Sequence, residues 1–68
     1  MAEADLEMAK RHVAEGRGRI VRQRAILAQL TADGHDRAVH QARRLLTAML
    51  ETQRLAEAHA AKLEGQDD

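Results

Sequence analysis

The chain has 68 residues, 11 acidic and 11 basic side chains, and no cysteine, proline or aromatic residue. That length holds one domain, and a domain so small buries only about 60% of the surface its unfolded chain exposes, so a single core is marginal. Disulfides, thiolate zinc sites and base stacking on aromatic rings are excluded, which leaves self-association as the ordinary source of extra stability.

Serine and asparagine are missing as well, while alanine, arginine, leucine, glutamate and glutamine dominate. These are strong helix formers, and the missing types are mostly turn, cap or sheet residues, so the composition reads as all-α. The acidic opening from Met1 to Glu7 does not have the basic and apolar regions of a secretory leader. No run approaches the roughly 18 consecutive apolar residues that span a bilayer, and the expectation is a cytoplasmic protein with no membrane partner.

The first predicted element is a helix over about residues 3–32. Leu6, Val13, Ile20 and Leu27 recur every seven residues, with Ala9, Gly16, Gln23 and Leu30 three places after each. Such spacing marks the a and d positions of a heptad seam, and the register gives every other residue a place relative to it. A turn over about 33–36 follows, where Gly34 can take the left-handed conformation that ends a helix and Asp36 can cap the next one. The second helix, about 37–64, repeats the seam with Val39, Leu46, Gln53 and Ala60 at a, and Ala42, Met49, Ala56 and Leu63 at d.

Folding the chain back about Gly34 tests this reading. Leu30 then faces Val39, Leu27 faces Ala42, Gln23 faces Leu46 and Ile20 faces Met49. Farther from the turn, Gly16 faces Gln53, Val13 faces Ala56, Ala9 faces Ala60 and Leu6 faces Leu63. Every seam residue meets another, and several layers match large with small. The whole chain, 1–68, therefore reads as one antiparallel two-helix hairpin of coiled-coil type.

Two helices cover only one side of such a seam. Leu45, Ala48, Thr52, Leu55 and His59 form a further stripe on the second helix, and Met8, His12 and Ile26 lie alongside it on the first. This stripe is the expected dimer interface, closing two hairpins into a four-helix bundle.

The charges suggest a second use. Lys10, Arg11, Arg17, Arg19, Arg22, Arg24, Arg37, Arg43 and Arg44 lie in a stretch that holds only Glu15, Asp33 and Asp36 as acids, and the segments on either side are net acidic. Arg24 and Arg43, both at e positions, are expected to be neighbours, and like charges there favour an anion or another chain's carboxylate. Arg17, Arg22, Arg24, Arg43 and Arg44 are thus candidate anion-binding residues for a nucleic acid or nucleotide. Zero net charge and the absence of aromatic side chains weigh against that ligand. Two hairpins packed in opposite directions, basic half against acidic end, account for the same layout without one.

Other candidates are weaker. His12 and His59 share flanking positions and are expected to lie close, but no Glu-x-x-His pair accompanies them, and no metal or other cofactor is expected. Gly16 opposite Gln53 suggests that the missing side chain admits the amide. Gln23 and Gln53 are read either as seam amides that fix register or as side chains bent out to water. With no serine, cysteine or tyrosine nucleophile and no base-and-orienter arrangement around the threonines, the expectation is a non-enzyme.

At His12-Val-Ala-Glu-Gly16, Ile20, Arg22-Gln-Arg24, Gly34-His-Asp36 and Arg44-Leu-Leu46, the sequence resembles a group of short uncharacterised helical-hairpin proteins of alphaproteobacteria, of the rhizobial type. The similarity spans about residues 5–63 and departs from that group at Gly18-Arg19. It implies helical form and no particular activity. The expected role is a self-associating protein-interaction module or small regulator, with an unidentified protein as partner besides a second copy of the chain.

Overall fold

A computed structural model describes residues 2–66. Helix α1 runs Ala2–Ala32 and helix α2 runs Asp36–Gly65, and the two pack against each other as a hairpin. Among the described residues there is no strand.

The seam is the one the heptads predict. All the a and d residues with described side chains are buried or half-buried, and beyond them only Ala38 is withdrawn from full exposure. The core is thin: among the described residues, no side chain is completely sealed from solvent.

Helix α1 stops through a Schellman arrangement. Gly34 takes φ 74°, its N–H donates to Thr31 O at 3.2 Å, and the His35 N–H donates to Leu30 O at 3.1 Å. These bonds satisfy carbonyls that the last turn of a helix leaves free, and glycine enters the left-handed region without a Cβ penalty. Gln29 Nε2 donates to both carboxylate oxygens of Asp33, at 3.1 and 3.2 Å, tying down the residue before the reversal.

One expectation about the turn is corrected. Asp36 does not cap α2; it is the first helical residue, and His35 occupies the cap position without a side-chain hydrogen bond. The six-residue closure of the Schellman motif uses His35, so the chain is already entering α2 at the next position. Asp36 acts there by charge, as an acid in the first turn facing the positive end of the helix dipole.

Gln23 and Gln53 remain in the seam, each with 8% of its surface exposed. Gln23 Nε2 donates to Ala42 O across the interface at 3.2 Å, and Gln53 Nε2 donates to Val13 O at 2.8 Å. Each helix therefore sends one amide to a backbone carbonyl of the other. Among the described residues no buried side-chain polar atom is left without a partner. A slip of one heptad would set Gln53 against Gln23 or Ala9 instead of Gly16, so the amides favour this register. Gly16 makes room for one of them: a Cβ there would collide with Gln53 Oε1 and lie 2.9 Å from its Cδ.

The hairpin is elongated, measuring 51 × 15 × 12 Å, with a radius of gyration of 15.5 Å. A globular chain of this length has a radius near about 11 Å. Its accessible surface is 5458 Å², against about 4,300 Å² for a compact monomer of this mass. The hairpin carries surface that a compact fold would have covered.

Candidate functional site

Residues at the g positions line one edge of the hairpin and those at e line the other, because antiparallel helices set like flanks side by side. The predicted dimer residues all belong to the g edge or to the c positions next to it. Met8, His12, Ile26, Leu45, Ala48, Thr52, Leu55 and His59 are all exposed. The large apolar ones are strongly so: Met8 is 55% exposed, Ile26 45%, Leu45 53% and Leu55 64%.

Two shallow depressions mark this edge. Near the turn, Ile26 and Leu45 come together with Met49, Gln23, Arg19 and Arg22 around a space of about 390 Å³. Toward the open end, Met8, His12 and His59 gather with Asp5, Ala9 and Leu63 around about 230 Å³. The expected proximity of His12 and His59 is therefore realised at the rim of one hollow. Thr52 and Leu55 fall between the two hollows along α2. Arg19 and Met49 belong to this surface and were not among its predicted members. Arg19 was legible, since it shares the g position with His12 and Ile26 at seven-residue spacing.

The opposite edge has another character. Lys10, Arg17, Glu57 and Glu64 surround a hollow floored by Val13, Ala14, Ala60 and Ala61. Arg17 Nε lies 3.8 Å from Glu57 Oε1, with both side chains largely in solvent, and this is the only ion pair among the described residues. Such exposed pairs contribute little. Glu57 Oε1 also accepts a 3.4 Å hydrogen bond from Gln53 Nε2, so the pair is linked to the seam amide.

The five candidate anion-binding arginines are all exposed and line no common concavity. Arg17 borders the e-edge hollow and Arg22 borders the apolar hollow near the turn, while Arg24, Arg43 and Arg44 line neither. By heptad position, Arg24 and Arg43 flank the e edge, away from the apolar stripe, and Arg44 faces outward. The arginines beside the apolar surface are Arg19 and Arg22. Among the described residues no three histidine or acidic side chains converge as metal ligands, and no helix is long and apolar enough to cross a membrane.

Comparison with protein-family models, curated proteins and solved structures finds no match to this chain.

Proposed function

We propose that this chain is a non-enzymatic, cytoplasmic helical module that works by self-association, pairing two hairpins through the g edge into a four-helix bundle. The observation that carries the reading is the set of large apolar side chains along this edge, Met8, Ile26, Leu45 and Leu55, left in solvent by a fold whose own core is thin. The surface in excess of a compact monomer, about 1,200 Å², is ample for the roughly 800 Å² that each partner contributes to a standard protein interface. Covering this edge with a second copy removes the exposed leucines from water and supplies apolar burial that two helices alone cannot. The wider role is that of a protein-interaction module or small regulator.

Ligand binding through the arginines has less support, because they are dispersed over several faces instead of converging on one hollow. Replacing Leu45 and Leu55 together by glutamate places charges on the apolar edge without touching the intrachain seam. The reading expects this variant to sediment as a smaller species than the wild type at equal concentration. An unchanged sedimentation coefficient for the variant would show that the edge is not the interface.

A further inference from the structure

The seam is withdrawn from solvent along its whole length, but its two halves are built of unequal material. Between the Gly16–Gln53 layer and the turn, six seam residues are larger than alanine and apolar: Ile20, Leu27, Leu30, Val39, Leu46 and Met49. From the same layer to the open end there are three, Leu6, Val13 and Leu63, interleaved with Ala9, Ala56 and Ala60. The exposed fractions match, at 7% for Ala9, 9% for Ala60 and 8% for Leu46. A buried methyl nevertheless removes far less apolar surface from water than a buried isobutyl group, and stabilises in proportion. Two further differences weaken the same half. Gly16 and Gly18 lie in α1 at its inner boundary, and at Gly18 nothing within 4 Å of a Cβ offsets the cost of glycine in a helix. The turn also joins the helices at one end only. Parting them from the open end leaves that linkage in place, whereas parting them at the turn first leaves a long loop to be held closed, which entropy disfavours.

From these differences we infer that the hairpin consists of two cooperative units divided at the Gly16–Gln53 layer, and that its open half separates and melts while the turn half stays paired. The chemistry of the dividing layer sets the limit. Gln53 Nε2 donates there to Val13 O at 2.8 Å and to Glu57 Oε1 at 3.4 Å, bonds that water replaces at little net cost. The next layer inward holds Ile20 against Met49, a contact that water does not replace. Released from the seam, each open-half helix is too short to persist alone, so separation and loss of helix are one event. Opening brings Leu6, Val13 and Leu63 into water beside Met8 and Leu55, which are exposed already. The apolar surface at that end of the molecule is thereby enlarged. The division lies within one hairpin and does not require a second copy.

Native-state amide hydrogen exchange of the full chain, read residue by residue by NMR at one protein concentration, tests the division. Relative to unstructured rates, amides over about 8–15 and 55–62 should share one opening and exchange at least about tenfold faster than those over 22–29 and 41–48, with a step across the Gly16–Gln53 layer. Ordinary fraying gives instead a smooth gradient inward from each terminus, with no value shared by the open half. That pattern, or equal protection in both halves, overturns the inference. A mild change in the turn half supplies a second reading. Leu27→Val should speed exchange over 22–29 and 41–48 by about fivefold and leave the open half unchanged, because the open half exchanges without parting that layer. Equal acceleration of both halves would show a single cooperative unit and overturn it as well.

Discussion

Two glycines placed two residues apart on one helix should respond oppositely to the same substitution. Replacing glycine by alanine in a helix interior gains about 1 kcal/mol from backbone entropy and propensity. At Gly18 nothing lies within 4 Å of the added Cβ, so that gain is realised in full. For a domain of this size it corresponds to a rise of about 4–8 °C in Tm. At Gly16 the new methyl collides with the end of the Gln53 side chain. The amide is flexible enough to move, but moving breaks its 2.8 Å bond to Val13 O. A lost hydrogen bond costs about 1 kcal/mol net, and poor re-pairing of a buried amide raises the cost to about 1–3 kcal/mol. The gain and the loss together leave Gly16→Ala between neutral and about 2 kcal/mol destabilised. Thermal unfolding followed by far-UV circular dichroism, at one fixed protein concentration because association contributes to Tm, compares the two variants. In a Gln53→Ala background the collision is gone, so Gly16→Ala should recover most of its helix gain, a coupling that a double-mutant cycle measures. Equal stabilisation by Gly16→Ala and Gly18→Ala in the wild-type background would refute the account of this layer.

Other perturbations probe the seam and the charges. Leu46→Ala, at a buried position facing Gln23, should cost about 2–5 kcal/mol in denaturant unfolding, whereas Val21→Ala at an exposed position should stay within about 0.5 kcal/mol; similar losses at both would mean that the heptad seam is misplaced. Gln23→Leu removes a cross-seam amide and should leave unfolding stability equal or higher while relaxing register, read as broadened amide resonances by NMR, and a sharp, unchanged spectrum would deny the amide that role. Arg19→Glu with Arg22→Glu should weaken the dimer in a concentration series, while Arg24→Glu with Arg43→Glu on the other edge should leave it nearly unchanged; the reverse ranking would place the interface on the e edge.

The fold was readable because its information is periodic. Seven-residue spacing put Leu6, Val13, Ile20 and Leu27 on one line, and the fold-back about Gly34 matched that line to α2 without a phase error. Gly16 was legible for a related reason, since the layer opposite it held the one residue that needed its space. Gln23 and Gln53 were less so: an amide at a seam position reads alike whether it bonds a carbonyl or bends out to water, and only the placement of Ala42 O and Val13 O decides between them. The role of Asp36 was misread because capping depends on which residue closes the preceding helix, and the Schellman bonds assign that boundary to His35. For the candidate face, the exposed leucines followed from the heptads. Its division into one hollow beside Arg19 and Arg22 and another beside His12, His59 and Asp5 required the side chains of both helices to be seen together.

Sedimentation equilibrium of the wild-type chain over a wide concentration range tests the central claim most directly. The account predicts a mass approaching twice the 7.6 kDa of one chain, falling reversibly toward it on dilution. A single species of one chain's mass at tens of micromolar (about the range in which a specific dimer is populated), folded and helical, would contradict the claim that the g edge exists to be covered by a second copy.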